Sequence, residues 1–463
     1  MTPGPATGRL DLEGLRIEVD AGRIDTVLLV FADLQGRLQG KRMAARYLVD
    51  DVLSRTDAPG AVEGCDYLLA VDVDMNTVDG YAMSSWARGY GDLVWRPDPA
   101  TLCWIPWHEG TALMHCDPEW TDGSPVAAAP RQVLRRQLDR LAALGWTALV
   151  GTELEFIVFT DTYEEAGNAG YVGLTPANQY NVDYSMLGTA RIEPLLRRIR
   201  LGMAGAGMVV ESAKGECNRG QHEIAFKYAD ALTTCDNHAL YKTGAKEIAA
   251  QAGYALTFMA KYDEREGNSC HIHLSLRDAA SGRPVFAAGE HDRAPEFEHF
   301  LAGLLAGLRE LTLFFAPNVN SYKRFVAGSF APTTVAWGED NRTCALRVVG
   351  HSAAALRVEN RVPGGDVNPY LATAAMLAAG LAGIERELPL EAAYTGNAYA
   401  DGSRSRVPAT LRDAAALWSG SALARAAFGD EVVDHYANMA RVELAAFDAA
   451  VTDWERRRGF ERL

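Results

Sequence analysis

Three kinds of feature are missing from this sequence. No run of about 18 apolar residues occurs, and residues 1–15 lack the apolar segment of a signal peptide. The seven cysteines are an odd number, none are spaced as CxxC, and most lie in apolar surroundings. The formal net charge is −15, so the basic excess that nucleic acids and anionic membranes attract is missing. We therefore expect a cytoplasmic protein with reduced thiols, without zinc or disulfides, that binds small molecules.

The composition is that of an ordinary folded protein with room for two or more domains. Of 463 residues, 48% are hydrophobic and 23% are charged. Alternation around Gly36 predicts a hairpin within 25–45, and short apolar runs over 66–105 indicate a small β-rich N-terminal domain. A Pro/Ala stretch near 124–130 precedes a helical pattern. We therefore divide the chain into domains 1–124 and 125–463.

Helical spacing is the main pattern of the larger domain. It predicts helices at 131–144, 191–201, 229–252, 293–316, 369–387 and 410–456. The predicted strands lie between these helices without regular alternation of strand and helix. This order indicates an α+β rather than an α/β domain.

A polar face is repeated on several of the predicted strands. Its members are spaced one residue apart or flank a turn: Glu153 and Glu155, His271 and His273, Arg357, Glu359 and Arg361, and Glu216 and Glu223 around Gly220-Gln221. Because strand side chains alternate between faces, each closely spaced pair points the same way. Clustered carboxylates are costly to bury without cations, so this polar wall predicts Mg²⁺ or Mn²⁺. The arginines indicate an anionic substrate.

Taken in order along nearly the whole chain, these motifs resemble the glutamine synthetase family. The resemblance implies that family's α+β fold, with a small N-terminal β-grasp-like domain and a large catalytic domain whose curved antiparallel sheet is flanked by helices. It also implies a dodecamer of two hexameric rings, with active sites formed between neighbouring subunits. The family's two metal sites match six residues: Glu155, Glu216 and Glu223 for one ion, and Glu153, His271 and Glu359 for the other.

The resemblance also assigns the residues that bind substrates. Three residues match those that bind glutamate: Gly267, Arg324 and Arg361. Seven match those that bind ATP and its phosphates: Glu211, Tyr228, His273, Ser275, Arg342, Arg347 and Arg357. Forked guanidinium groups suit carboxylates and phosphates alike.

The implied reaction begins at the γ-carboxylate of glutamate, which is a poor electrophile. ATP would phosphorylate it to γ-glutamyl phosphate, and a neutral amine would then displace the phosphate. The run from Gly36 to Arg42 is one residue short of a Walker loop and lacks its Ser/Thr. ATP would therefore be bound at the metal-lined sheet.

At one loop position the chain departs from the ammonia-using members of the family. Those enzymes carry Glu-Ala-Pro where this chain has Phe330-Ala331-Pro332. A phenyl ring removes the charge that attracts ammonium and adds an apolar surface suited to an alkyl chain. Glu266, which replaces an asparagine, and Asp79, reaching over from a neighbouring subunit, complete the predicted amine site.

With these changes, the sequence resembles the γ-glutamyl-amine synthetase branch of the family. The resemblance predicts an ATP-dependent ligase that joins glutamate to ethanolamine or a similar small amine, with a polyamine as a further option. Three other interpretations stay open: an ordinary glutamine synthetase using ammonium, a catalytically silent structural or regulatory relative, and a metal-dependent amidohydrolase. The complete set of ligands argues against the silent relative. The mid-chain place of His271-Ile272-His273 argues against the amidohydrolase.

Overall fold

A computed structural model describes residues 8–54 and 60–463, and its N-terminal part is built on one mixed sheet. The strands are β1 (Thr26–Ala32), β2 (Leu38–Ala44), β3 (Val62–Cys65), β4 (Asp92–Pro97), β5 (Cys103–Trp104) and β6 (Thr111–Glu119). They lie in the order β2-β1-β6-β4-β3, with β5 beside β6. β1 and β6 are parallel, and the other neighbours are antiparallel.

The hairpin predicted within 25–45 is confirmed as β1 and β2. At its turn Gly36 has a φ of +76°, and its N–H donates to the carbonyl oxygen of Asp33 at 2.9 Å. The side-chain amide of Asn368 donates to the carbonyl oxygens of Asp33 and Leu34, each at 3.1 Å. The turn of the hairpin is thereby attached to the larger part of the chain.

The larger sheet carries the polar wall. Its strands are β7 (Trp146–Phe159), β8 (Val210–Gly215), β9 (Gln221–Phe226), β10 (Ala229–Asp230), β11 (Ala255–Thr257), β12 (Cys270–Asp278), β13 (Trp337–Glu339), β14 (Leu346–Val349) and β15 (Arg357–Asn360). They lie in the order β13-β14-β15-β12-β7-β9-β8, and β10 and β11 pair with β7. All pairs are antiparallel except β13 with β14. The predicted antiparallel sheet is confirmed, with one parallel pair at its edge.

Helices cover this sheet and form most of the C-terminal region. They are α1 (Leu12–Asp20), α2 (Ala45–Tyr47), α3 (Pro130–Ala143), α4 (Tyr163–Asn168), α5 (Met186–Thr189), α6 (Glu193–Gly205), α7 (Ala231–Gln251), α8 (Pro295–Gly307), α9 (Thr312–Phe315), α10 (Pro369–Glu385), α11 (Leu411–Ser419), α12 (Ala422–Phe428), α13 (Asp430–Ala449) and α14 (Asp453–Gly459). Short helical turns lie at Leu48–Val52, Asp66–Leu69, Trp86–Arg88, Pro99–Thr101, Val319–Arg324 and Ala398–Ala400. α10 is apolar on all sides and packs between α3 and α8 in the core. Within the described ranges, no helix combines the length and apolar character needed to cross a membrane.

Most of the predicted helices are present, but two predicted helical regions are divided. Helices predicted at 131–144, 191–201, 229–252 and 369–387 are confirmed as α3, α6, α7 and α10. The region 293–316 contains α8 and α9, and the region 410–456 contains four helices. Gly420 and Gly429 lie at two of these breaks, and Gly429 has a φ of +85°. The apolar spacing continues across the breaks because α11 and α12 both pack on α13.

Candidate active site

The polar wall predicted from strand alternation is centred on β7. Leu154, Phe156 and Val158 are buried, so Glu153 and Glu155 lie on the opposite face of the strand. The antiparallel register then sets the facing pairs: Glu153 with His271, Glu155 with Glu223, and Glu359 with His273.

One group of carboxylates is formed by Glu155, Glu216 and Glu223. One oxygen of each lies within 4.8 Å of the others. Burial, followed by the charge of Glu216, raises the pKa of Glu155 to about 8. Burial also raises the pKa of Glu216 and that of Glu223. These buried acids destabilise one another's charged forms, so the group fits a divalent cation, which would favour ionisation of all three.

The turn between β8 and β9 holds this group together. Gly220 has a φ of +69°, and a Cβ there would lie 2.5 Å from a carbonyl oxygen of β7, so only glycine fits. The buried amide of Gln221 donates to Glu155 at 3.0 Å and to the carbonyl oxygen of Gly267 at 2.9 Å. The backbone N–H of Ser269 also donates to Glu155, at 2.7 Å. These two donors orient the Glu155 carboxylate, as outer contacts orient ligands in metal sites.

A second group joins Glu153 and Glu359 to both histidines of β12. His271 Nδ1 lies 3.2 Å from Glu153 Oε2 and 3.4 Å from Glu359 Oε1. His273 Nε2 lies 2.9 Å from Glu153 Oε1. Ligand atoms of Glu153, His273 and Glu359 also lie within 4.8 Å of one another. His273, which was predicted at the ATP phosphates, is therefore a further candidate donor for the second ion.

The protonation states of this second group fit a metal ion. His271 Nε2 is buried and has no hydrogen-bond partner among the described residues. Burial, followed by the charge of Arg361, lowers the pKa of His271 to about 4, so the ring is neutral and able to bind a metal. Burial alone would raise the pKa of Glu153, but hydrogen bonds from His271 and His273 lower it well below its usual value. Burial likewise opposes ionisation of Glu359, yet His271 and Arg361 lower its pKa to about 2.

A cavity of about 400 Å³ opens beside this second group. Five residues predicted to bind ATP line it: Glu211, Tyr228, His273, Ser275 and Arg357. Arg357 Nε donates to His273 Nδ1 at 3.2 Å, which connects the cavity to the second group. Tyr228 is 53% exposed, so its ring is available to stack on a flat ligand.

The other two phosphate candidates are separated from each other. Arg347 Nη1 donates to Glu359 at 2.7 Å, and the same guanidinium pairs with Asp340. Arg347 therefore lies beside the second group. Arg342 is exposed and lines a different, open cavity together with Asp340. The structure does not bring Arg342 to the cavity that holds the other ATP candidates.

The three glutamate candidates are neighbours. Buried Arg324 donates through Nη2 to the carbonyl oxygen of Arg361 at 3.4 Å, and a Cβ at Gly267 would lie 2.9 Å from Arg324 Cγ. Arg361, also buried, donates to the carboxylate of Glu359. Within the described part of the chain, the Nε atoms of both arginines are buried without a partner. Each arginine therefore keeps one N–H donor without a hydrogen-bond partner among the described residues.

Two of the three amine-site candidates, Phe330 and Glu266, lie apart from the third, Asp79. Phe330 has a φ of +59° and is 55% exposed, and its carbonyl oxygen accepts a hydrogen bond from Arg361 at 3.3 Å. Glu266 precedes Gly267, and its carbonyl oxygen accepts from Asn218 at 2.7 Å. Phe330 and Glu266 therefore lie beside the glutamate candidates.

Asp79 belongs to the N-terminal part of the chain and is exposed. Its carbonyl oxygen accepts hydrogen bonds from Asn438 at 3.2 Å and from Arg441 at 3.1 Å, both on α13. Within this chain, Asp79 is thus attached to α13 through its backbone, which leaves its carboxylate on the surface.

The chain is similar to known proteins over nearly its whole length. Residues 127–459 match the model of the glutamine synthetase catalytic domain. The chain belongs to the glutamine synthetase family. It is 68% identical to the gamma-glutamylethanolamide synthetase GlnA4 of Streptomyces coelicolor, over 99% of this chain and 97% of that protein. It is 37% identical to the glutamate–isopropylamine ligase of a Pseudomonas species, over 94% of this chain and 95% of that protein.

Solved structures carry the same glutamine synthetase fold. A GmaS/ADP complex superposes with a TM-score of 0.81 at 29% identity, over 96% of this chain and 99% of that one. The predicted family and fold are therefore confirmed, and the amidohydrolase interpretation is wrong.

Two residues of this candidate site were not predicted from the sequence. The sequence pattern places Gln221 only in a turn, whereas its side-chain amide donates a hydrogen bond to Glu155. Lys214 forms an ion pair with Glu216, and its ammonium lies 4.8 Å from the centroid of the Tyr184 ring. Lys214 stands two residues before Glu216, so strand alternation indicates the shared face and was a usable signal.

Proposed function

We propose that this protein is an ATP-dependent ligase that joins the γ-carboxylate of L-glutamate to a small primary amine, with ethanolamine as the first candidate. The position of Phe330 carries this proposal. Its ring stands where the ammonia-using enzymes carry a glutamate, and its carbonyl oxygen accepts a hydrogen bond from Arg361. An exposed phenyl ring therefore borders the place where glutamate would be activated.

The first half of the reaction would be phosphoryl transfer to glutamate. The candidate metal ligands are Glu155, Glu216 and Glu223 for one ion, and Glu153, His271 and Glu359 for the other, with His273 as a further donor. Bound Mg²⁺ or Mn²⁺ would neutralise charge on the ATP phosphates and on the transferring group. Tyr228 would stack on adenine in the 400 Å³ cavity, and Arg357 would face the phosphates. Arg347, held by Glu359, would stabilise charge on the γ-phosphoryl group.

Arg324 and Arg361 would bind the α-carboxylate of glutamate. Both guanidinium groups are buried and have unpartnered Nε atoms among the described residues. Burial lowers the pKa of Arg324 to about 10, which leaves its guanidinium group charged at neutral pH and able to pair with an incoming carboxylate. A glutamate anchored in this way would extend its γ-carboxylate toward the ATP γ-phosphate. The products of this half are γ-glutamyl phosphate and ADP.

The second half needs a neutral amine at the acyl carbon. A C–N bond forms, the C–O bond to phosphate breaks with its electron pair leaving on phosphate, and the amine nitrogen loses a proton. A phenyl ring has no net charge to attract ammonium, whereas the carbon chain of a primary amine makes apolar contact with Phe330. Glu266 offers a carboxylate to the charged form of the arriving amine. The product is a γ-glutamyl amide.

The relatives support an amine over ammonium as the nitrogen donor. The relative at 68% identity is named for ethanolamine and the one at 37% identity for isopropylamine. Both amines have two or three carbons, which favours a small acceptor over a polyamine. Ethanolamine is the acceptor of the more similar relative, so we propose it first.

The test is phosphate release by the purified full-length chain with Mg²⁺, ATP and glutamate. Ammonium, isopropylamine, ethanolamine and putrescine are added in turn, and the products are identified by mass spectrometry. We expect γ-glutamylethanolamide, with kcat/KM for ammonium lower by roughly 10-fold or more. Glutamine as the main product would show that the protein is an ordinary glutamine synthetase that uses ammonium. No ATP turnover with any amine would indicate a silent relative.

We also propose a homo-oligomer, in the form of a dodecamer of two hexameric rings, with Asp79 reaching a neighbour's amine site. The backbone attachment of Asp79 to α13 leaves its carboxylate free for that contact. The proposed domain boundary stays at 124/125, near the start of the family match at residue 127. Size-exclusion chromatography with multi-angle light scattering would measure the number of subunits. Mixing inactive Asp79→Asn and Glu155→Gln subunits should restore partial activity if sites are shared.

A further inference from the structure

A cavity of about 710 Å³ lies apart from the polar wall, where the β1–β2 turn meets α7. None of the residues assigned above to metal, glutamate, ATP or amine lines it. Its volume is within the range of about 300–1,000 Å³ that is typical of small-molecule sites. The cavity is therefore large enough for a ligand of its own.

Cationic side chains are concentrated in this cavity. They come from both parts of the chain: Arg37, Lys242, Lys246 and Lys323. Arg37 is paired with Asp33 at 2.7 Å. The side-chain ammonium groups of the three lysines make neither a hydrogen bond nor an ion pair with any described residue. Unpaired ammonium groups that converge on one concave surface are an arrangement that an anion would stabilise.

Lys242 and Lys246 form the centre of this charge. They stand one turn apart on α7, and the ammonium of each lies 5.8 Å from the centroid of the Phe258 ring. Like charges at this helical spacing repel each other. Burial, followed by the charge of Lys246, lowers the pKa of Lys242 to about 8. A bound anion would relieve both effects.

The carboxylates that line the cavity form no ion pair with these lysines, although the charge of Asp366 favours the charged form of Lys242. Asp366 accepts a hydrogen bond from Ser321 at 2.5 Å, and Glu247 accepts one from the Trp107 ring at 2.7 Å. Burial, followed by the charges of Asp74 and Asp72, raises the pKa of Glu443, which disfavours its charged form.

We propose that this cavity binds a multivalent organic anion of metabolite size, bearing a phosphate or several carboxylates, with Lys242 and Lys246 as the main charged contacts. Arg37 and Lys323 complete the charged lining, and Phe258 packs against the carbon skeleton of the ligand. This site is separate from the proposed ligase reaction and does not depend on which amine is used.

The cavity is structurally connected to the glutamate candidates. The carbonyl oxygen of Met259, which lines the cavity, accepts a hydrogen bond from the Asn268 amide at 2.9 Å. Asn268 directly follows Gly267, the glycine that packs on Arg324. A ligand that moves the 257–260 segment would therefore change the KM for glutamate.

The test is isothermal titration of the full-length protein, without added metal, using two probes. Ribose 5-phosphate represents the phosphate source and citrate the polycarboxylate source. We expect one of them to bind, and Lys242→Gln/Lys246→Gln to weaken that binding by about 10-fold or more. Lys41→Gln removes an exposed ammonium outside the cavity and should leave the affinity unchanged.

Lys246→Gln alone provides a second variant if the double variant fails to fold, because Lys246 is exposed at the mouth of the cavity. It should also weaken binding of the same probe. Equal affinity for wild type and these variants would overturn the proposal, because the anion would then bind elsewhere. Absence of binding for both probes at millimolar concentration would overturn it as well. Even if the proposed ligase activity were disproved, these outcomes would keep their meaning, because the titration measures binding and not turnover.

Discussion

Arg361 donates a hydrogen bond to the backbone carbonyl oxygen of Phe330 at 3.3 Å and another to the carboxylate of Glu359. One guanidinium group thus connects a candidate metal ligand with the loop that carries the candidate amine-facing ring. Because the contact uses the carbonyl oxygen of Phe330 and not its ring, the side chain can be changed while the contact stays. Position 330 is therefore suited to a test of acceptor choice.

Phe330→Glu should shift the preference toward ammonium. The new carboxylate would attract the small cation, and the loss of the ring removes apolar contact for an alkyl chain. We expect the ratio of kcat/KM for ethanolamine to that for ammonium to fall by about 10-fold or more. Phe330→Leu is the control, since it keeps an apolar side chain and should keep the amine preference. An unchanged ratio in Phe330→Glu would place the ring outside the acceptor site.

Glu155→Gln should abolish most of the turnover by removing charge from the first carboxylate group. We expect a loss of at least about 100-fold in kcat. Added Mn²⁺ should also raise the Tm of this variant less than it raises the Tm of wild type. Glu63→Gln, which changes an exposed glutamate on β3, is the matched control and should behave as wild type. A Mn²⁺-dependent Tm rise in Glu155→Gln equal to that of wild type would contradict the metal assignment.

Gln221→Leu should weaken metal binding without removing a metal ligand. Its amide orients the Glu155 carboxylate at 3.0 Å, and loss of such an outer contact costs about 10- to 100-fold in metal affinity. Titration of activity with Mn²⁺ measures this as a raised half-saturation concentration, with activity recovering at high Mn²⁺. Gln179→Leu, at an exposed position, is the control. If the half-saturation concentration does not change, Glu155 is oriented without Gln221.

Gly383→Ala should destabilise the core where α8 and α10 cross. A Cβ there would lie 2.7 Å from the Cα of Gly303 and 2.1 Å from the carbonyl oxygen of His299, so backbone must shift. Overpacking of this kind costs about 1–3 kcal/mol and should lower Tm by several degrees. Gly402→Ala is the matched control, because a Cβ at Gly402 meets nothing within 4 Å. Equal Tm values for the two variants would show that the crossing can relax.

The spacing of residues along the chain predicted those features that depend on local periodicity alone, namely the faces of strands and the positions of single helices. The two-residue period of a strand predicted that Glu153 and Glu155 share a face whatever lies beside β7. The helical period located α3, α7 and α10 in the same way. It did not locate the breaks inside 410–456, because successive helices that pack on one core continue the same apolar spacing.

By itself, the sequence determined the family, the faces of the strands and the residue types available for metal, glutamate and ATP. Only the tertiary structure decided that His273 contacts Glu153, that Arg342 stays apart from the ATP cavity, and that Lys214 pairs with Glu216. It also decided that Lys242 and Lys246 share a cavity with Arg37. The reason is that strand order, register and the packing of loops depend on contacts between residues far apart in the chain, and a local period contains no information about those partners.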